Sequence, residues 1–200
     1  MAIFPGSAIP SAVSDYEIDN SLRSNYADAP YLQKTFGSTG TGGRKIATIS
    51  FWLKLGDRMA TTNYILDTKK SGNNERTFIS TQSDSTLRLG FFDSSDTSSY
   101  VDTQGKLRDP SAWYHIVAVV NTPHVTASSR LQLYVNGELQ VPTSSSYPDQ
   151  DDTGAICGDG WTHQILAYGD SHEYNFDGYV AEFYCIDGQA LAADSFGELD

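Results

Sequence analysis

The sequence predicts an all-β sandwich or barrel, and three observations carry this prediction. Helical periodicity is nearly absent from the 200 residues, while short apolar runs and period-two alternation recur. Clusters of Gly, Asn, Asp and Ser separate these runs at spacings of roughly 8–12 residues, which is typical of sandwiches and barrels. The hydrophobic content of 39% is enough for one sizeable core, which excludes a globally disordered chain.

Ten segments are predicted as strands, because each combines apolar or β-branched residues with flanking turn residues. They are residues 31–35, 46–55, 64–68, 77–82, 86–92, 99–103, 113–121, 130–135, 164–168 and 178–186. One short helix is predicted over residues 190–196, with Gly197 as its stop signal. Residues 143–160 are predicted to form a loop.

The segment from 130 to 141 predicts a β-hairpin. Leu131, Leu133 and Val135 alternate with polar or amphipathic residues and should face the core. Asn136-Gly137 follows directly, and a type I′ turn needs positive φ at both of its central residues, which this pair tolerates. The chain should therefore return as a strand over residues 138–141.

The last predicted strand contains one of the two cysteines. Strict alternation over residues 178–186 places Tyr179, Ala181, Phe183 and Cys185 on one face. Two cysteines do not make a disulfide framework. Cys157 and Cys185 therefore form either one bridge or two reduced, buried thiols.

The charge balance excludes several classes of partner. The chain has 13 basic and 25 acidic residues, giving a formal net charge of −12. Nucleic acids and anionic membrane surfaces draw much of their affinity from basic residues, so neither is an expected partner. No apolar stretch has the ~20 residues of a membrane span. The N-terminus lacks a basic region and a continuous apolar run, so no secretory signal is predicted.

Aromatic residues in or near predicted loops suggest a carbohydrate site. Sugar recognition combines aromatic faces with amide and carboxylate groups that bind hydroxyls. The candidates lie among Asn, Asp and Ser residues, and they are Trp161, Tyr147, Tyr168 and Tyr174, with Tyr100 as a further one. Trp161 stands between Gly160 and Thr162, and it either stacks on a ligand or covers the rim of the core.

The loop at 149–160 is the best metal candidate. It opens like a calcium loop, but Gly160 occupies the twelfth position, where an EF-hand needs Glu. Two alternatives remain: a looser calcium site built on Asp149, Asp151 and Asp152, or a solvated acidic loop. The sequence has no Gly-x-Ser-x-Gly motif and therefore no nucleophile elbow. A glycanase needs two nearby carboxylates, and Glu17 and Asp19 are the best local pair.

Three segments together resemble the laminin G-like, concanavalin A-like jelly-roll superfamily. They are ISFWLK at 49–54, WYHIV at 113–117 with LYVNG at 133–137, and FDGYVAE at 176–182. Their order and spacing agree with that superfamily from about residue 21 to the end. The resemblance implies a jelly-roll sandwich of two antiparallel sheets, with residues 1–20 as an N-terminal arm and residues 21–200 as the laminin G-like domain.

A narrower resemblance is to laminin G-like proteins of marine tailed phages. It is carried by APYL at 29–32, RDPSAWYH at 108–115 and IDGQAL at 186–191 before SFGE at 195–198. The resemblance implies a non-enzymatic virion surface protein, either a capsid decoration or a tail appendage. It also implies other virion proteins as partners, a homo-oligomer, a location in the virion and adhesion to a host-surface glycan. A free carbohydrate-binding lectin is the alternative function, and a glycanase is a more remote one.

Overall fold

The computed structural model describes residues 20–57, 61–169, 171 and 173–196. Thirteen strands within these ranges form two antiparallel sheets that enclose a core, which confirms the predicted all-β sandwich of two antiparallel sheets. The proposed N-terminal arm, residues 1–20, lies outside the described residues except for Asn20, and so does the pair Glu17 and Asp19. None of the helices in the described ranges has the length and apolar character needed to cross a membrane.

The first sheet has six strands. From edge to edge it contains β1 (Leu22–Ser24), β13 (Gly178–Asp187), β3 (Ile46–Leu55), β8 (Tyr114–Asn121), β9 (Leu131–Val135) and β10 (Glu138–Leu139). Strand β13 pairs with the long strand β3 on one side and with β1 on the other, so the first and the last strand of the described chain are neighbours.

The second sheet has seven strands. In spatial order they are β11 (Pro142–Ser146), β7 (Ser98–Thr103), β6 (Leu87–Phe92), β5 (Arg76–Thr81), β4 (Asn63–Lys69), β12 (Thr162–Ile165) and β2 (Leu32–Thr35). The stretch predicted as a loop over residues 143–160 is wrong at its start, because β11 pairs there with β7. The residues of β11 are mostly Ser and Thr, so the sequence shows no apolar alternation there. A strand at the edge of a sheet can lack an apolar face.

The core lies between the two sheets and follows from alternation along the strands. On β3, Ile49, Phe51 and Leu53 are fully buried and belong to the same apolar cluster as Ile79 and Leu89 of the second sheet. Because side chains alternate across a strand, the intervening residues of each sheet point away from this core. The outward-pointing side chains of the second sheet therefore do not belong to the core between the sheets.

The outward face of the first sheet is partly covered by the end of the described chain. Val117 and Val119 of β8 pack there against Ala193, with Phe196 beside them. The helix predicted over residues 190–196 is instead a 3₁₀ turn at Ala193–Phe196. Packing on the sheet fixes this short segment, which is too short to gain much from helical propensity.

The predicted hairpin is confirmed. Asn136 and Gly137 have φ of 50° and 80°, as a type I′ turn requires. The Asn136 side chain also accepts a hydrogen bond from the backbone N–H of His115 at 2.9 Å, which ties the turn to β8. The return strand β10 pairs Glu138 with Val135, and it ends at Leu139 rather than at residue 141 as predicted.

Strict alternation along the last strand is wrong, because β13 contains a bulge. The pairing with β3 shifts between Ala181 and Tyr184, and Glu182 adopts a φ of 49°. Val180 consequently lies in the core on the same side as Phe183, whose ring stacks on Phe51 at 5.3 Å. A bulge of this kind places two residues opposite one and changes the face of those that follow.

Candidate functional site

The outward face of the seven-stranded sheet carries aromatic and charged side chains. Along β5, Ile79 packs into the core, so Phe78 points outward. On β4, the pairing with β5 shifts between Tyr64 and Leu66. This irregularity leaves Leu66 in the core and places the Tyr64 ring 5.4 Å from the Phe78 ring on the outward face.

Three tyrosines meet on this face. The Tyr64 and Tyr168 rings lie 4.8 Å apart between centroids, and the Tyr174 ring lies 5.7 Å from Tyr168 and 6.3 Å from Tyr64. Tyr168 donates its backbone N–H to the Glu173 carbonyl at 3.0 Å, which closes the short loop between them. Tyr174 has a φ of 50° and leaves half of its surface exposed to solvent, at 51%.

Arg76 lies against two of these tyrosines, Tyr64 and Tyr168, and against Phe78. Its guanidinium carbon is 4.0 Å from the centroid of Tyr168, 5.1 Å from Tyr64 and 5.2 Å from Phe78. Such cation–π contacts hold the rings and the guanidinium in one orientation. We call Tyr64, Arg76, Phe78, Tyr168 and Tyr174 the aromatic–arginine face.

Asp67 holds this face together from below. Its side chain is fully buried, and it accepts a hydrogen bond from Arg76 Nε at 2.5 Å. The other carboxylate oxygen accepts from the backbone N–H of Gly169 at 2.7 Å. Because Gly169 follows Tyr168, one carboxylate positions both the guanidinium and the tyrosine loop.

The protonation states of this cluster follow from burial and the ion pair. Burial raises the pKa of the Asp67 carboxyl, and the hydrogen bond and charge of Arg76 oppose that rise. For Arg76, burial acts to lower the pKa, but the bond to Asp67 outweighs it and raises the pKa. Burial also raises the pKa of Tyr64, so its phenol is neutral and can donate a hydrogen bond.

A second arginine extends the charged surface toward the sheet edge. Arg88 binds Asp102 through two hydrogen bonds of 2.6 and 2.7 Å, and its guanidinium carbon lies 4.3 Å from the Tyr100 centroid. The Tyr100 hydroxyl lies 3.0 Å from Ser144 Oγ on the edge strand β11. Arg88 and Tyr100 thus form a second, smaller stack beside the aromatic–arginine face.

An open groove borders the aromatic–arginine face. It is lined by Lys69, Asn73, Asn74, Glu75, Arg76, Phe92, Asp96 and Tyr168, and we call it the polar groove. Phe92 and Tyr168 provide aromatic walls, while Asn73 and Asn74 provide amides that can both donate and accept hydrogen bonds. Glu75 is held by Arg44 at 3.5 Å. This combination suits a polyhydroxylated ligand with an apolar ring face.

Two of the four predicted carbohydrate-binding residues meet on this surface, and two do not. Tyr168 and Tyr174 both belong to the aromatic–arginine face. Trp161 is only 2% exposed, with Arg44 stacked on its ring at 5.5 Å, so it covers the rim of the core and presents no free ring face. Tyr147 packs against the main core cluster.

The predicted acidic loop does not present its carboxylates together. Asp151 Oδ1 lies 3.2 Å from Lys45 Nζ, and Asp152 Oδ2 accepts the backbone N–H of Asp149 at 2.7 Å. Burial raises the pKa of the Asp152 carboxyl. Within the described ranges, no three His, Cys, Asp or Glu side chains are grouped so that they could hold a metal ion. The geometry of these three aspartates therefore does not fit a ready-made calcium site.

Sequence analysis missed the strand residues that build the face. The residues concerned lie on strands, whereas the predicted ligand-binding aromatics lie in or near loops; they are Tyr64, Asp67, Arg76, Phe78 and Phe92. A signal for some of them was present, because Arg76 and Phe78 alternate with core residues along β5. Several aromatic residues together on the outward side of a sheet are unusual unless they pack against something or bind a ligand.

A family model described as the concanavalin A-like lectin/glucanases superfamily matches residues 24–194. No curated protein matches the chain.

Several solved structures share the fold at low sequence identity. The mouse laminin alpha1 chain, domains LG4-5, gives a TM-score of 0.63 at 11% identity, covering 88% of this chain and 44% of that one. The native heptameric SAP-like pentraxin from Limulus polyphemus gives 0.57 at 21% identity, covering 82% and 71%. The Ruminococcus gnavus IT-sialidase CBM40 bound to alpha2,3 sialyllactose gives 0.53 at 16% identity, covering 82% and 95%. At such identities the likeness shows the fold alone.

Proposed function

Because the chain belongs to the concanavalin A-like lectin/glucanase superfamily, we propose that it is a non-enzymatic, glycan-binding virion surface protein of a tailed phage. It would serve as a capsid decoration or a tail appendage. The observation that carries the binding part is the aromatic–arginine face beside the polar groove. The virion part is supported by the resemblance of residues 29–32, 108–115 and 186–191 to phage proteins.

The surface would bind a sugar by stacking and hydrogen bonding together. The exposed ring of Tyr174 and the groove wall of Tyr168 offer faces for the C–H side of a sugar ring. Asn73 and Asn74 lie where they would meet hydroxyls. The face is held in place by Asp67 before any ligand arrives, which lowers the entropy cost of binding. Solved relatives with this fold include a carbohydrate-binding module bound to sialyllactose.

Binding fits this face better than hydrolysis does. A glycanase needs two free carboxylates across a cleft. Around this surface, Asp67, Asp102 and Glu75 are each bound to an arginine, at 2.5 Å, 2.6 Å and 3.5 Å. None of the three is free to donate a proton to a leaving group or to attack a sugar, and Asp96 is the one remaining acidic residue of the groove lining. We therefore propose a binding protein, with a free lectin as the alternative and a glycanase as the remote one.

Glycan binding is tested by substituting two tyrosines that have the same solvent exposure. Tyr174 and Tyr184 are each 51% exposed, but only Tyr174 belongs to the aromatic–arginine face. The protein is applied to an array of bacterial and animal glycans, and the best-bound glycan is then titrated by calorimetry. We expect Tyr174→Ala to weaken binding about tenfold or more, equivalent to about 1.4 kcal/mol, and Tyr184→Ala to leave it unchanged. Equal effects, or no bound glycan, would refute this site.

Assembly is tested separately by light scattering of the purified chain. A virion protein should form a stable closed oligomer, since subunits of such appendages assemble with rotational symmetry. The Limulus pentraxin, which has a similar fold, is heptameric. This supports the proposal that a β-sandwich domain of this kind can assemble into a closed oligomer. A trimer or larger ring supports the virion role. A monomer that still binds glycan would favour a free lectin.

We propose separately that the 149–152 loop binds calcium after its side chains rearrange. Binding would require Asp151 to leave Lys45, because that contact occupies one of its oxygens. The test is calorimetry with calcium chloride on the chelator-treated chain, with Asp151→Asn as the matched variant. Heat that disappears in the variant would support a site here. No heat would assign the loop to surface charge alone.

A further inference from the structure

The two cysteines are close together although 28 positions separate them along the chain. Cys157 lies in the loop before β12 and Cys185 lies on β13, and their Sγ atoms are 3.6 Å apart. Both thiols are free, Cys157 in the interior and Cys185 at the surface. The bulge in β13 contributes to this approach, because it sets the direction of the residues after Glu182.

Cys157 is held firmly by its backbone. Its N–H donates to His163 Nε2 at 3.0 Å, and its carbonyl accepts from Gly40 N–H at 3.0 Å. Its φ of 51° is unusual for a residue with a side chain. Since strained conformations persist only where the surroundings fix them, the position of this sulfur is well determined.

We propose that Cys157 and Cys185 are a thiol redox site, in which a peroxide converts the neighbouring thiols into a disulfide. The sulfur atoms must approach from 3.6 Å to about 2.05 Å, which small rotations of the two side chains can provide. The inference does not depend on glycan binding, because neither cysteine belongs to the aromatic–arginine face or lines the polar groove.

The electrostatic environment selects Cys157 as the attacking sulfur. The hydrogen bond from the Cys185 thiol, followed by the contact with His163, lowers the pKa of Cys157 to about 6, against the opposing effect of burial. The same pairing raises the pKa of Cys185. The lowered pKa favours the thiolate form of Cys157, and the thiolate is the nucleophilic form of a cysteine.

The step balances in two stages. The Cys157 thiolate attacks one peroxide oxygen, the O–O bond breaks, and a sulfenic acid forms while the departing hydroxide takes a proton to become water. The Cys185 sulfur then attacks the Cys157 sulfur, and the hydroxyl leaves as a second water with the proton of Cys185. Two electrons pass from the two thiols to hydrogen peroxide, and one S–S bond forms.

The disulfide would link the loop that contains Cys157 to strand β13 of the six-stranded sheet. That loop continues into Gly158, which lies against the Trp161 indole, and Trp161 carries Arg44, the partner of Glu75 in the polar groove. Oxidation would thus make the rim beside the groove more rigid. Closing a loop of this size should raise the melting temperature by roughly 5–10 °C.

The experiment treats the reduced chain with hydrogen peroxide at neutral pH after removal of reductant. We expect the intact mass to fall by two hydrogen atoms, and a peptide map to show residues 157 and 185 cross-linked. The melting temperature should rise by the amount given above and return on addition of reductant. Denatured thiol titration should fall from two thiols to none.

The single variants Cys157→Ser and Cys185→Ser are the matched controls, because neither can close a bridge. Their melting temperatures should not rise with peroxide. The proposal is overturned if wild-type cysteines gain oxygen without cross-linking, if they stay free, or if the bridge forms only in denaturant. These readings use the wild-type chain, so they hold even where a variant folds poorly.

Discussion

Asp67 and Arg76 form an ion pair in which the carboxylate is completely buried and the Nε–Oδ1 distance is 2.5 Å. The guanidinium lies against the rings of Tyr64, Phe78 and Tyr168, and the carboxylate also binds the backbone N–H of Gly169. The pair therefore connects the stability of the second sheet with the shape of the candidate ligand surface.

Replacement of Asp67 by Asn should destabilise the fold and disturb the face. The variant leaves the buried Arg76 charge without its partner, and breaking such a pair costs about 3 kcal/mol. Urea denaturation measures this loss. Lys45→Gln is the control, because its pair with Asp151 is exposed and such pairs contribute about 0.5 kcal/mol or less. Similar losses in both variants would show that Asp67 has no special role.

Trp161→Ala should reduce stability rather than remove a ligand contact. The indole is 2% exposed, and truncation of a buried aromatic typically costs about 3–5 kcal/mol. Tyr174→Ala should cost about 1 kcal/mol or less, because an exposed ring contributes little to burial. Thermal melting of both variants, together with glycan titration, separates the two roles. A well-folded Trp161→Ala protein without glycan affinity would contradict this assignment.

The comparison of Trp161 with Tyr168 shows what sequence alone could predict. Both aromatics lie in turn-rich stretches near Gly, and their local composition is alike. One is buried because Arg44 and Gly158 close over it, and the other is on the sheet face because Asp67 holds its loop. These partners come from distant parts of the chain. Local sequence patterns therefore could not show that Trp161 is buried while Tyr168 lies on the sheet face.

The fold itself was predictable where alternation and turn chemistry agree. Strand β3 and the hairpin at Asn136 have both signals, and they match the structure. The bulge at Glu182 has neither, because a positive φ at a non-glycine residue leaves no mark in the sequence. That bulge decides which residues of β13 enter the core, and so the positions of Phe183 and Cys185 could not be derived by alternation.

Gly90→Ala should alter the face through Phe78. A methyl group at Gly90 would overlap the Phe78 ring, which lies across this position. The ring must then move away from Tyr64 and Arg76, at a cost of about 1–3 kcal/mol. We expect lower stability and weaker glycan binding together. Gly37→Ala is the control for methyl addition, because Gly37 has open space around it and a φ outside the left-handed region. Unchanged binding in Gly90→Ala would separate Phe78 from the site.

Acidification should destabilise the protein through His115. This histidine is half-buried on the outward side of β8, with Ser50 Oγ 3.0 Å from Nε2 and the Trp52 ring 4.9 Å away. Burial lowers its pKa, so below the unfolded value of about 6.5 the unfolded chain binds a proton that the folded chain does not. Stability should then fall as the pH drops from 7 through that value, until the pH passes the folded pKa.

The measurement is the free energy of unfolding by urea between pH 7 and 5, for the wild type and for His115→Gln. Other groups titrate in the same window, so the difference between the two proteins isolates His115. Glutamine keeps a polar side chain near Ser50 but cannot take up a proton in this range. We expect a steeper fall in stability for the wild type than for the variant. Parallel curves would mean that folding does not change the proton affinity of His115, in spite of its contacts with Ser50 and Trp52.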